Sequence, residues 1–127
     1  MEFTFNNKSS RDFNIKIKKS NHLSIPRKKI EFVEVQGRTD NLIIDEGSRE
    51  MLDVEIEAYI DCREDNTYSY ALRLDEWLNS SNGYQDLIFD DNTNLKAIFV
   101  GQIDFNSITK NFEEILLQFK AYRESDL

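Results

Sequence analysis

The chain has 127 residues, 39% of them hydrophobic and 31% charged, with a formal net charge of -8. This length fits one domain, residues 1–127, that can bury a core without a disulfide or a metal. The acidic balance argues against a nucleic-acid binder, and one cysteine excludes an intrachain disulfide framework and a cysteine-based zinc site.

No apolar run approaches the length of a membrane span, so we expect no membrane partner. The first residues, Met1-Glu2-Phe3-Thr4, form neither the basic nor the apolar region of a secretory signal. We therefore expect the protein to be made and folded in a cytoplasm.

Alternation of apolar and polar residues predicts that most of the chain forms half-buried antiparallel strands. The pattern is longest after residue 51 and again near the end of the chain. The predicted strands are Phe3–Phe5, Phe13–Ile17, Lys29–Gln36, Leu42–Asp45, Leu52–Ile60, Leu87–Asp90, Lys96–Gly101, Ile103–Asn106 and Ile115–Tyr122.

One segment, Tyr68–Asn79, has helical periodicity instead. Its apolar residues recur at the spacing of a helix that lies on a core. Asn66 or Thr67 can cap its start, and Gly83 follows its end. We expect the apolar stripe to pack on a sheet; it comprises Tyr70, Ala71, Leu74, Trp77 and Leu78.

These elements predict a mainly β fold: an antiparallel β-sandwich, or twisted antiparallel sheets, with one α-helix packed on it. The apolar positions of the alternating strands and of the helix should form the core. The predicted core residues are Ile15, Val54, Ile56, Leu74, Trp77, Leu78, Leu117 and Phe119.

Charge is divided unevenly along the chain. Residues 1–38 hold nine bases and four acids, whereas the remainder holds seven bases and twenty acids. Opposite fields on one chain favour head-to-tail self-association, because they steer encounter and fix register. A solvated surface with uneven charge usage explains the same numbers equally well.

The polar residues that carry chemistry elsewhere point to no active site. His22 is the only histidine and lies in a predicted loop, and Cys62 has no second cysteine or nearby histidine. A structural or surface role suits the histidine, and a buried or edge thiol suits Cys62. We expect no enzyme activity, no cofactor and no metal site.

Two acidic patterns are also weak candidates. Asp53, Glu55 and Glu57 share one strand face, where a solvated surface explains them better than a glycosidase pair does. The acidic stretch from Asp90 begins like a calcium loop, but Leu95 stands where glycine is needed and Gly101 where glutamate is needed. This stretch is predicted to be a turn.

The order of several short motifs resembles the siphophage distal tail proteins. A strand enters a Gly-Arg turn and leaves through a short apolar strand, and an alternating strand, a helix with a Trp-Leu pair and a closing aromatic strand follow. The matching segments are Ile30–Asp45, Leu52–Ile60, Trp77-Leu78, Gly83-Tyr84, Leu87 with Phe89, and Gln118–Tyr122. Asn41 replaces the usual second glycine, and the closing strand lacks the usual cysteine.

The resemblance implies a structural role in a phage or prophage virion. Members of that family form a six-fold ring at the end of the tail tube and join it to tail-tip, tail-fibre or baseplate proteins. The implied partners are thus other copies of the chain in a hexamer, the tail tube protein and a tail-tip protein, assembled in the bacterial host cytoplasm. By the same resemblance residues 1–127 match the N-terminal, ring-forming domain, and we expect them to contain no counterpart of the usual C-terminal domain.

The same resemblance adds an extended β-hairpin to the predicted fold and places the assembly interface on it. Consecutive apolar residues near its base, Phe32-Val33 and Ile43-Ile44, break the alternation, so a second surface should cover it. Basic residues would face the acidic remainder of the next subunit. The predicted interface residues are Arg27, Lys28, Lys29, Phe32, Val33, Arg38 and Ile43.

Two alternatives remain open at this stage. Both faces of the hairpin could be buried in the subunit's own sandwich. The protein could instead be a carbohydrate-binding β-sandwich that uses exposed aromatic residues such as Tyr59, Tyr84 and Tyr122.

Overall fold

An eight-stranded antiparallel sheet dominates the computed structural model of the protein, which describes residues 1–126. The strand order is β2-β1-β7-β8-β10-β6-β3, with β9 pairing beside β10, while β4 and β5 form a separate hairpin. The elements are β1 (Phe3–Phe5), β2 (Lys8–Ser9), β3 (Ile15–Ser20), β4 (Lys28–Val33), β5 (Leu42–Arg49), β6 (Leu52–Asp61), α1 (Thr67–Asn79), β7 (Gln85–Phe89), β8 (Asn94–Val100), β9 (Asn106–Thr109) and β10 (Phe112–Tyr122), with short 3-10 helices at Ser10–Phe13 and Glu124–Asp126.

The sheet folds over on itself into a sandwich. In the hydrogen-bonded order, β1 and β10 are separated by two strands, which in a flat sheet would hold them about 14 Å apart. The rings of Phe5 on β1 and Phe119 on β10 nevertheless have centroids only 5.0 Å apart. The predicted antiparallel β-sandwich is therefore confirmed, and both of its halves belong to one continuous sheet.

Strict alternation on the two longest strands builds the core. Strands β6 and β10 pair from Leu52↔Ala121 to Asp61↔Phe112, and every second residue along them is buried. All eight residues predicted for the core are buried: Ile15, Val54, Ile56, Leu74, Trp77, Leu78, Leu117 and Phe119.

Helix α1 packs through its predicted apolar stripe. The Asn66 side chain accepts a hydrogen bond from the Ser69 N–H at 2.8 Å and caps the first turn. At the other end, Trp77 stacks on Phe13 with ring centroids 4.2 Å apart, and its Nε1–H donates to the Phe5 carbonyl at 2.8 Å. The helix thereby joins β1 and the 3-10 helix to the core, although Ala71 stays only half-buried.

Two predicted strands are wrong in detail. Phe13 lies in the 3-10 helix because Asn14, at φ 57°, ends that helix in a left-handed conformation before β3 begins. Ile103 and Phe105 alternate as a strand would, but they lie in a loop and pack against the core from outside the sheet. The strand in this region is β9, which starts only at Asn106.

Candidate assembly interface

The hairpin of β4 and β5 lies outside the sandwich. We call residues 28–49 the arm. Within residues 1–126 its two strands pair only with each other, from Val33↔Leu42 beside the turn down to Lys28↔Arg49 at the root. The alternative in which the hairpin is buried in its own sandwich is wrong.

Both faces of the arm carry exposed apolar side chains. Phe32 and Ile43 are directly opposite each other on one face and are 64% and 60% exposed. Val33 pairs with Leu42 on the other face, where Leu42 is exposed and Val33 is half-buried. Because apolar patches of this kind mark interaction sites, the arm is the strongest candidate for one in this fold.

The sequence predicts that the consecutive apolar residues lie near the base of the hairpin. In the structure they lie at the turn end of the arm instead. The root half of β5 contains Asp45, Glu46 and Gly47, and Gly47 has a φ of +73°. Its N–H donates to the Asp45 carboxylate at 2.9 Å, and the pairing register shifts across this point. A bulge therefore separates the polar root from the apolar end of the arm.

The root is tied by two hydrogen bonds. The Glu50 N–H donates to the Arg27 carbonyl at 2.7 Å, and the Arg49 guanidinium donates to the carbonyl of Pro26 at 2.9 Å. Pro26 is itself buried. These bonds hold together the two chain segments that enter and leave the arm.

The charges of the arm are mixed. The guanidinium of exposed Arg38 binds Asp40 in the same turn at 2.8 and 3.2 Å. The arm holds four bases and five acids, so its net charge is -1. Lys28 and Lys29 remain exposed at the root, next to exposed Arg27. The apolar end of the arm is thus a stronger candidate for an interaction site than its charged residues are.

The residues considered for chemistry occupy structural positions. His22 is buried, with hydrogen bonds at both ring nitrogens. Cys62 is buried, and burial raises the pKa of its thiol, which disfavours the nucleophilic thiolate. Asp53 and Glu55 lie on the exposed face of β6, and Glu57 is half-buried there.

Buried Glu113 and the acidic turn from Asp90 also have structural explanations. Glu113 is buried on β10 and accepts hydrogen bonds from the hydroxyl groups of Ser107, at 2.9 Å, and Thr67, at 3.4 Å. The residues from Asp90 to Thr93 form the predicted turn. Among residues 1–126, no group of three or more His, Cys, Asp and Glu side chains is placed to hold a metal ion.

The three tyrosines proposed for carbohydrate binding do not form one site. Tyr84 and Tyr122 meet edge to face with centroids 5.1 Å apart, so their two rings do not form one flat platform. Tyr59 lies opposite Glu114 on β10, eight residues and about 26 Å along that strand from Tyr122. The ammonium group of Lys18 also lies over the Tyr59 ring. These three tyrosines therefore do not share one surface on which a carbohydrate could stack.

In the described part of the chain, no helix is long and apolar enough to cross a bilayer.

Comparison with known proteins gives a match at the level of structure. No family model matches the chain, and neither does any curated protein. The crystal structure of the SPP1 Dit protein (gp 19.1) superimposes with a TM-score of 0.77 over 94% of this chain, at 13% sequence identity. The fold is that of a siphophage distal tail protein. SPP1 Dit is described as a paradigm of the hub adsorption apparatus in phages that infect Gram-positive bacteria.

The chain spans about half the length of SPP1 Dit, since the match covers 48% of that protein. The match confirms the fold implied by the sequence motifs, which were spread from Phe3 to Tyr122 and were each weak alone.

Several residues that shape the candidate interface were missed in the sequence. Pro26, Gly47 and Arg49 set the root and the bulge of the arm, and β5 continues four residues beyond the predicted end at Asp45. An isolated glycine inside a strand pattern is a signal for a bulge, so Gly47 could have revealed the longer strand.

Proposed function

We propose that this protein is a structural component of a siphophage tail, encoded by a phage or a prophage. Copies of the chain would form a ring, a hexamer by family resemblance, that joins the tail tube to the tail-tip, tail-fibre or baseplate proteins. Its place would be the virion tail, after assembly in the bacterial host cytoplasm.

The fold supports this proposal most directly. A TM-score of 0.77 over nearly the whole chain relates the protein to a hub protein of a phage adsorption apparatus. Because a fold can host several functions, the resemblance needs a feature of this chain itself to support it. The exposed arm is that feature.

The arm suits head-to-tail assembly. A two-stranded hairpin is at best marginally stable in water, and this one leaves Phe32 and Ile43 exposed on one face and Leu42 on the other. An arm of one copy that packs on the body of the next makes a heterologous contact, which generates a ring when the rotation closes. The expected interface residues are again Arg27, Lys28, Lys29, Phe32, Val33, Arg38 and Ile43.

The proposed role is that of a scaffold and not of an enzyme. In the distal tail family this fold forms the N-terminal domain, so residues 1–127 would correspond to the ring-forming half of a hub protein. We propose no cofactor, no nucleic acid and no membrane as partners.

Electron microscopy of the purified protein in negative stain tests the ring directly. We expect closed rings with six-fold averages for the wild type, and loss of rings for the double variant Phe32→Asp, Ile43→Asp. Tyr68→Asp is the matched control, because Tyr68 is 72% exposed on the helix, and an acid near a helix N-terminus is tolerated.

The three proteins should have the same circular dichroism spectrum and similar melting temperatures. Rings that persist in the Phe32→Asp, Ile43→Asp variant would remove the arm from the interface. A wild type that stays monomeric at every concentration tested would argue against the ring.

A further inference from the structure

His22 holds together parts of the chain that are far apart in the sheet. Its loop follows β3 at one edge of the sheet, yet the ring stacks on Phe89 of β7 with centroids 3.8 Å apart and planes 8° apart. Its Nε2 lies 2.8 Å from the Asp91 carboxylate, in the turn between β7 and β8. The side chain is 3% exposed.

Every polar atom of this contact has a partner. The Ser20 hydroxyl lies 2.8 Å from Nδ1 and accepts the His22 N–H at 3.3 Å. On a neutral ring, Nε2–H donates to Asp91 and the Ser20 hydroxyl donates to Nδ1. The Asp91 carboxylate also accepts the Thr93 N–H at 3.1 Å, so the turn that receives the histidine is itself braced.

The residue before His22 is bound to a different strand. The Asn21 side chain accepts the Glu55 N–H at 2.7 Å and donates to the Asp53 carbonyl at 3.0 Å. It thus pairs with β6 in the way that the backbone of a neighbouring strand does. Asn21 and His22 together therefore fasten one short loop to β6 and to the β7–β8 turn.

This loop leads directly into the arm. Only residues 23–27 separate His22 from the start of β4. Among them Pro26 is buried, and its carbonyl accepts a hydrogen bond from Arg49 on the opposite strand. On the other side, Glu50 and Met51 connect the arm to β6. The arm thus has two attachments to the sandwich, one through the chain into β6 and one through the loop that Asn21 and His22 hold.

We propose that the His22–Asp91 contact is a latch that fixes the direction of the arm relative to the sandwich. His22 is a positioning residue in this role and need not touch a partner. That the latch also governs ring assembly rests on the function proposed above.

Release of the latch would leave Asn21 as the last bound residue of the loop, so the arm would be connected to it through residues 22–27 on one side and to β6 through Glu50 and Met51 on the other. The arm would keep its own strand pairing, but it would sample many directions, of which only a fraction suits docking. Apparent affinity falls in proportion to that fraction, so a tenfold drop in the correctly oriented population weakens assembly about tenfold.

Distance measurements between two spin labels test the latch in the monomer. One label goes on the arm at Glu34→Cys and one on the sandwich at Lys110→Cys, both exposed positions, in a Cys62→Ala background at low protein concentration. We expect a narrow distance distribution with His22 and a broad one with His22→Ala. His22→Gln, which can still donate to Asp91, should narrow it again.

Two control variants separate the latch from general loosening. Leu23→Ala changes an exposed residue of the same loop, and Ile115→Val weakens the core without touching the latch. Both should keep the narrow distribution. An equally broad distribution in Ile115→Val, or a narrow one in His22→Ala, would overturn the proposal.

Assembly is then measured on the unlabelled full chain by analytical ultracentrifugation. His22→Ala should weaken ring association about tenfold or more while the monomer stays folded. If the distance distribution broadens but the wild type forms no ring, the latch stands and the proposed function fails. If wild-type rings form and His22→Ala changes neither measurement, the function stands and the latch fails.

Discussion

The sandwich and the arm differ in the residues at their exposed edges and faces and in the length of their edge strands. Along the sandwich edge formed by β3, Lys16, Lys18 and Lys19 are charged, and the register shifts at Lys18. The opposite edge, β2, is only two residues long. Charged residues, irregular pairing and short edge strands all hinder the addition of another strand. The arm has two long edges and apolar residues on both faces.

This difference separates stability from assembly. The sandwich buries its aromatic residues against one another and protects its edges, so it can fold as a unit. The arm contributes little to that core, and its apolar side chains stay exposed. Mutations in the two regions should therefore change different measured quantities.

The largest effect on folding should come from Trp77→Ala. Trp77 is 1% exposed, stacks on Phe13, and donates its indole N–H to the Phe5 carbonyl. Loss of a buried tryptophan typically lowers the free energy of unfolding by about 3–5 kcal/mol. Urea denaturation followed by circular dichroism measures the loss.

Tyr68→Ala, on the exposed side of the same helix, is the matched control and should change stability by less than about 0.5 kcal/mol. Equal stability of the Trp77→Ala variant and the wild type would contradict the helix-on-sheet packing.

A pair of glycine substitutions compares the two regions at equal backbone strain. Gly101 ends β8 at φ +89°, and Gly47 forms the arm bulge at φ +73°. A side chain at such angles costs roughly 1–2 kcal/mol. In Gly101→Ala the new Cβ would also meet the Gln118 side chain, whereas Gly47→Ala meets nothing within 4 Å.

Gly101→Ala should therefore lower global stability by roughly 1–2 kcal/mol, as monitored by Trp77 fluorescence in urea. Gly47→Ala should leave that transition unchanged, because the arm is not part of the cooperative core. The same loss in both variants would show that arm and sandwich unfold together.

The His22–Asp91 contact makes a smaller, pH-dependent contribution. The hydrogen bond from His22, followed by that from Thr93, lowers the pKa of Asp91 to about 2 from its ordinary value of 3.8. A lowered folded-state pKa stabilises the fold above the unfolded-state pKa, and that stabilisation is lost as pH falls towards 2.

The variant Asp91→Asn has no carboxyl group at this position and so cannot be protonated as the pH falls. Thermal melts between pH 5 and pH 2 should thus show the wild type losing more stability than the variant below about pH 4. Parallel curves for the two proteins would remove Asp91 from the acid transition.

Local patterns in the sequence determined most of the sandwich. Alternation located β6 and β10, and the stripe around Trp77 located α1 to within one residue. The order of weak motifs also predicted the distal tail fold. These features depend on residues close together in the chain, where the period of burial can be read.

The features that position the arm depend on distant pairs. His22 meets Asp91 across 69 positions, and Arg49 meets Pro26 across 23, so no local pattern could reveal either contact. The predicted role of the basic residues has a different origin, because it considered Arg27, Arg38, Lys28 and Lys29 without the five acids that residues 28–49 also contain.

The smallest effect should come from reversing those two lysines. Lys28 and Lys29 are exposed at the root of an arm whose net charge is -1, and they are separated from the apolar end by the bulge. Exposed ion pairs contribute about 0–1 kcal/mol and are screened by salt.

The double variant Lys28→Glu, Lys29→Glu should weaken ring association only a few-fold, and the difference should vanish near 1 M salt, where the screening length falls to about 3 Å. The Phe32→Asp, Ile43→Asp variant should stay defective at every salt concentration, because burial of apolar surface does not depend on screening. Sedimentation of both variants from 0.05 to 1 M sodium chloride compares the two contributions. If the lysine variant forms no rings at any salt concentration, the root itself lies inside the interface.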